Sequence, residues 1–161
     1  MGSSTAHLEL NVQPDVEFVS VIRRFVSEFY RRCRLDADGT SRCALATHEL
    51  LENVVKYSTD GGATIRIEVE MLAPRTVTIT MRNEADDEHV SAIREILHGL
   101  ASAETPLAYY LQLIAAKAKE KDVSGLGLAR ISAEAEMTIT HRVVEGNMTE
   151  LVVKASVEGA N

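Results

Sequence analysis

Apolar residues recur along this chain in two rhythms. From His7 to Val12 they alternate, with Leu8, Leu10 and Val12 on one side, which predicts a half-buried strand ended by Gln13 and Pro14. Pro14 and Asp15 suit the first turn of a helix. That helix is predicted to run to about Cys33 and to bury Val16, Val19, Ile22, Val26, Phe29 and Tyr30. Leu35 to Gly39 reads as a connection, with Asp38-Gly39 as its turn and Thr40 or Ser41 as the cap of the next helix. The next helix extends to about Thr59, where Asp60-Gly61-Gly62 breaks it. Alternation returns at Ile65, Ile67 and Val69, then at Val77, Ile79 and Met81. This is a hairpin joined through Leu72-Ala73-Pro74-Arg75.

The helical rhythm resumes from His89 to Leu100, with Val90, Ile93, Ile96 and Leu97 inward and Gly99 near the end. A further helix is predicted from Thr105 or Pro106 to about Lys119, with Leu107, Tyr110, Leu111, Ile114 and Ala118 as its inward stripe. Ser124-Gly125-Leu126-Gly127-Leu128 opens another, with Ser124 as cap and an end near Ala133 or Glu134. Met137, Ile139 and His141, then Leu151, Val153, Ala155 and Val157, make a closing hairpin turned at Glu145-Gly146-Asn147, and the last four residues read as loose. Strands with one apolar face need helices on that face only. The predicted fold class is therefore α/β, a two-layer sandwich whose mixed, mostly antiparallel sheet carries helices on one face.

Length and composition narrow the picture. A chain of 161 residues predicts a single domain over 1–161 that can bury a core without staples. Seventeen Lys and Arg stand against 24 Asp and Glu, a net charge of −7. That balance argues against a nucleic-acid or membrane partner. Cys33 and Cys43 form no CxxC array, which reads as free thiols in a reducing compartment. The five histidines make no metal-ligand spacing. Neither a signal peptide nor a membrane-spanning run is visible, so a cytoplasmic location is expected.

Candidate chemistry centres on Ala44 to Thr59. On a helical wheel Thr47, Leu50, Leu51, Val54 and Val55 form a broad packing arc, while Glu49, Asn53 and Lys56 share the polar face. His48 falls at the edge of the arc and reads as a packed or hydrogen-bonded histidine. Glu49 and Asn53 thus project one turn apart toward one place. A carboxylate can orient or deprotonate a hydroxyl, and an amide oxygen suits Mg²⁺. On spacing alone, solvated polar positions are the simpler account of the pair. The second candidate is Gly125-Leu126-Gly127 at a helix start, where glycines and free N–H groups admit a phosphate. A helix crossing also explains such glycines. Residue 130 is Arg, so the full GxGxxG fingerprint is absent.

In their order along the chain, ELLENVVKYS (49–58) before one hairpin and SGLGLARI (124–131) before another, these motifs resemble the ATP-binding domain of the Bergerat fold family, which includes histidine kinases. Within it the chain looks most like the anti-sigma-factor serine kinases of bacterial partner-switching systems, over about residues 7–157. The resemblance implies the histidine kinase-like ATPase fold, with ATP and Mg²⁺ as cofactors. It implies Glu49 acting on the acceptor hydroxyl, Asn53 holding Mg²⁺, Lys56 and Tyr57 flanking the phosphates or the ring, and Gly125 and Gly127 holding the phosphates. The family's Asp-x-Gly-x-Gly motif does not match. Its place reads MRNEADDEHV (81–90), where Asn83 stands for the adenine-binding Asp and the glycines are missing. A glycine-containing lid is likewise replaced by the helical pattern from Thr105 to Lys119.

Two functions follow. One is a regulator of anti-sigma-factor type that binds Mg-ATP and phosphorylates a Ser or Thr of a protein antagonist. The other is a non-catalytic, protein-binding regulator on the same scaffold. It would dock an antagonist or sigma-like partner through the first long helix or the surface around Tyr109 and Tyr110. A homodimer is compatible with either.

Overall fold

The computed structural model describes residues 4–120 and 125–160. Five strands and five helices are seen among them, β1 (Thr5–Val12), α1 (Val16–Arg32), α2 (Ala37–Tyr57), β2 (Ala63–Glu70), β3 (Arg75–Glu84), α3 (Asp87–Ser102), α4 (Pro106–Lys117), α5 (Leu126–Glu134), β4 (Thr138–Val143) and β5 (Met148–Val157). The strands form one sheet in the order β1-β2-β3-β5-β4, antiparallel at every pairing. Ile65, Ile67 and Val69 of β2, Val77, Ile79 and Met81 of β3, and Leu151 and Val153 of β5 are buried on one face. The helices lie on that face, so the expected two-layer α/β sandwich is what forms.

Within the helical layer α1 packs on α2, α2 on α5 and α5 on α4, while α3 touches α5 and β4. At the α1–α2 contact the buried Tyr30 hydroxyl lies 3.0 Å from Thr47 Oγ1. Thr47 donates its own proton to the Cys43 carbonyl, so Tyr30 is the donor of that pair. Burial raises the Tyr30 pKa well above its ordinary value. It also pushes the neighbouring Cys43 thiol up to about 12, and both cysteines are free.

The outer face of the sheet is polar and ordered in rows. Asn11, Thr64, Arg82, Glu150 and Arg142 are register partners across all five strands. Thr64 donates to Asn11 at 2.7 Å. Arg82 Nε donates to Glu150 at 2.5 Å, and Arg142 Nε donates to its other oxygen.

Several local expectations change. α2 begins at Ala37, not after a cap at Thr40 or Ser41, because Asp36 is its N-cap and accepts the Gly39 N–H at 2.7 Å. Gly39 is the residue that fits there: a Cβ would stand 2.9 Å from Asp36 Oδ1 and 3.3 Å from Val157. Val16 is exposed, being the first residue of α1 with no layer above it. α3 passes through Gly99 to Ser102.

On α4 the packing is turned from the expected stripe. Tyr110 packs on the core as expected, but Leu107, Leu111 and Ile114 face outward, and Tyr109 and Leu113 take the inward places. The tail is tied down, with Asp36 donating to the Glu158 carbonyl and Ala160 to that of Arg34. The proposed Ser124 cap lies outside the described residues. No helix among the described residues is long and apolar enough to cross a membrane.

Candidate functional site

α2 supplies the first half of the site. It is a 21-residue helix anchored on its apolar side by Leu50, Leu51 and Val54, all essentially dry. Its opposite side runs along α5 and α3. There Asn53 and Tyr57 line a cavity of about 480 Å³, together with Asp86, His89, Lys117 and Gly125. Ile93, Ile96 and Leu128 give it an apolar wall.

α5 supplies the second half. Gly125 is its N-cap residue, with φ +82, and no side chain caps the helix. Among the described residues no side chain is bonded to that helix start, and a helix N-terminus favours an anion such as phosphate. The Lys117 amine reaches within 3.8 Å of where a Gly125 Cβ would be, which brings a positive charge to the same spot.

At the other end, the Tyr57 and His89 rings are stacked at 4.1 Å between centroids and 14° between planes. Burial lowers the His89 pKa, partly offset by the Asp86 carboxylate. Asp86 is the N-cap of α3 and accepts the His89 N–H at 2.8 Å. Glu88 and Glu95 add two more carboxylates to the rim.

Glu49 is next to this cavity but does not line it. Its Oε1 accepts Arg130 Nη1–H at 2.9 Å, and its Oε2 lies 2.7 Å from where a Gly127 Cβ would be. Arg130 in turn donates Nε–H to Glu134 at 2.7 Å.

Of the residues singled out by sequence, Asn53 and Gly125 share the cavity, and Glu49 and Gly127 meet beside it. Lys56 is exposed in the last turn of α2 and does not line the cavity. Asn83 is buried at the end of β3, where its amide donates to the Glu84 carbonyl, and it lines a different cavity with Asp60 and Gly62. Tyr57, expected near the phosphates or the ring, does line the cavity, while Arg130, Lys117 and its stacking partner His89 were not singled out. Only the Arg130–Glu134 spacing on α5 carries a signal, that of an ordinary i,i+4 ion pair.

At one end of the cavity Asn53, the start of α5 and the Lys117 amine converge, a set of groups whose chemistry suits a phosphate. Among the described residues no group of three or more His, Cys, Asp or Glu could hold a metal ion. A cation would have to arrive with phosphate ligands of its own, as Mg²⁺ does. The other end carries the Tyr57–His89 stack and the Asp86 carboxylate, and not the Asp and glycines of the family motif.

Helices on one face of an antiparallel sheet, an Asn on the long helix, and a glycine turn opening a later helix beside it define an ATPase domain of the histidine kinase type. The chain belongs to that family, the histidine kinase-like ATPase domain, which it matches over residues 12–153. In fold it is similar to a chain from the crystal structure of the SiaB–SiaC complex from Pseudomonas aeruginosa. The TM-score is 0.65, with 12% identity, and the match covers 96% of this chain and 92% of that one. No curated protein matches its sequence.

Proposed function

We propose that the protein is a signalling regulator of anti-sigma-factor type that binds Mg-ATP and phosphorylates a Ser or Thr of a protein antagonist. The observation that carries this reading is the convergence of Asn53, Gly125 and the Lys117 amine on one cavity, with Glu49 one helical turn from Asn53. ATP would supply the phosphoryl group, and its Mg²⁺ would offset charge on the phosphates.

The chain's own residues would do the rest. Asn53 would offer its amide oxygen to the cation. The N–H groups of the first turn of α5 and Lys117 would hold phosphate oxygens and stabilise negative charge there. The Tyr57–His89 pair would offer a flat face to the base. Glu49 would orient the acceptor hydroxyl and accept its proton. A protein partner is in keeping with a fold relative that was crystallised as a SiaB–SiaC complex.

A second reading has its own observations. Asn83 lines another cavity, and Arg130 holds the Glu49 carboxylate. Phe18, Val21 and Phe25 leave an apolar strip exposed on α1. These features suit a non-catalytic regulator that binds a protein partner.

Calorimetric titration with ATP, with and without Mg²⁺, separates the two. The kinase reading expects micromolar binding that Mg²⁺ tightens, most of that gain lost in Asn53→Ala, and a smaller binding change in Glu49→Ala. No heat and no thermal shift at millimolar ATP would sink it and leave the partner-binding reading.

A further inference from the structure

The two glycines of the Gly125-Leu126-Gly127 turn meet different neighbours. Gly125 has the left-handed backbone that opens α5, and the Lys117 amine is beside it. Gly127 faces away from the cavity, against the carboxylate of Glu49. A Cβ at residue 127 would stand 2.7 Å from Glu49 Oε2, closer than real side chains approach an oxygen, and 3.6 Å from Glu49 Cβ. The other oxygen, Oε1, is taken by Arg130. Both oxygens therefore face α5, and only 9% of the Glu49 side chain is exposed.

A carboxylate this dry needs a charged partner of fixed geometry. Arg130 has that geometry, because Glu134 one turn later holds its Nε–H and so aims the guanidinium plane at α2. A lysine could meet one carboxylate as a point charge but could not be aimed by the other in the same way.

We propose that Arg130 is the residue that positions Glu49, and that residue 127 is glycine to admit this carboxylate and not a phosphate. The positioning stands on the contacts alone. Its catalytic consequence rests on the kinase reading above. On that reading the short glycine turn has two jobs: Gly125 shapes the phosphate end, and Gly127 leaves room for the base.

The test uses the full chain with Glu49→Gln, Arg130→Gln, Arg130→Lys and Gly127→Ala. The first readout is the Arg130 guanidinium Nη–H signal in a nitrogen-edited NMR spectrum at low temperature, since Nη1 is the nitrogen that donates to Glu49, and it reports the clamp whether or not the protein is active. It should shift and exchange faster with water in Glu49→Gln and in Gly127→Ala. The second readout is Mg-ATP affinity by calorimetry alongside the rate of phosphoryl loss from ATP. Arg130→Gln and Gly127→Ala should leave affinity within about twofold and lower kcat by about tenfold or more, the scale of a displaced general base. Arg130→Lys should recover part of kcat.

A Gly127→Ala variant that loses ATP affinity while the Arg130 signal stays in place would overturn the proposal, since the glycine would then serve the phosphates. If the wild-type protein binds no ATP, the kinase reading fails by itself and the Arg130 signal decides the positioning. A signal that moves in both Glu49→Gln and Gly127→Ala sustains it, and one unmoved in either overturns it.

Discussion

Replacing Glu150 by Gln tests how the open face of the sheet is held. Glu150 stands on the outer side of β5, yet its side chain is only 3% exposed, because Arg82 from β3 and Arg142 from β4 lie across it. Each guanidinium donates through Nε to one carboxylate oxygen. Charge-assisted hydrogen bonds contribute about 1.5–3 kcal/mol each when both ends are dry. Here the arginine side chains are 50% and 66% exposed, so water takes up much of what they lose. Gln also keeps one acceptor oxygen and the side-chain volume. The expected loss is about 2 kcal/mol in all, or about 4–8 °C in Tm for a chain of this length.

The sign with pH is fixed by the direction of the shift. The Arg142 hydrogen bond holds the Glu150 carboxyl below its usual range, with Arg82 adding to it against the cost of burial. As pH falls, the unfolded chain takes up this proton first. The contribution is therefore whole above the ordinary Glu range, near about 4.3, and disappears as pH falls through the depressed native value. Urea unfolding followed by circular dichroism should show a gap between wild type and Glu150→Gln at pH 7 that narrows progressively as pH falls below the ordinary Glu range. Equal midpoints at pH 7, or a gap that persists in acid, would refute the reasoning.

Two further outcomes concern the site. In Gly99→Ala the new Cβ would lie 2.2 Å from Tyr109 Cζ, so the ring must leave its notch on α3. The expected cost is about 1–3 kcal/mol, felt as faster amide exchange in α4 with β3 unchanged, and unaltered α4 exchange would count against it. Burial keeps the His89 pKa low, so the unfolded chain binds the proton first below about pH 6.5 and stability falls as pH drops from there. His89→Gln should flatten that part of a Tm-against-pH curve. A slope equal to the wild-type slope would show that His89 plays no part.

Strands were legible because a period of two leaves no choice of phase: Ile65, Ile67 and Val69 could face only one way once one of them was buried. α2 was legible for its wide apolar arc, although its start was missed. Asp38-Gly39 looks like a turn until the carboxylate of Asp36 is seen to receive the Gly39 amide. α4 could not be phased from sequence. PLAYYLQLIAAK is apolar nearly all round, so periodicity selects no face, and the notch above Gly99 on another helix decides that Tyr109 turns inward. The same limit applied to the site. Glu49 and Asn53 are one turn apart on one helix and could be paired by counting. Glu49 and Arg130 are 81 positions apart and meet only because α2 and α5 pack together. The stacking of Tyr57 on His89 likewise joins two helices, and its components carried no shared motif.

The brevity of α5 has a consequence for how this domain can change. Nine residues hold the clamp at Arg130 and follow directly on the turn at Gly125. A helix that short behaves as one rigid piece, and each residue of slide is about 1.5 Å along its axis. Such a slide would move the first-turn amides relative to the cavity and pull on the Glu49 carboxylate in the same stroke. On the kinase reading, grip on one ligand and readiness toward another would be geared together through a single part. A molecule that grasps the half-exposed guanidinium of Arg130 from outside would have a handle on both.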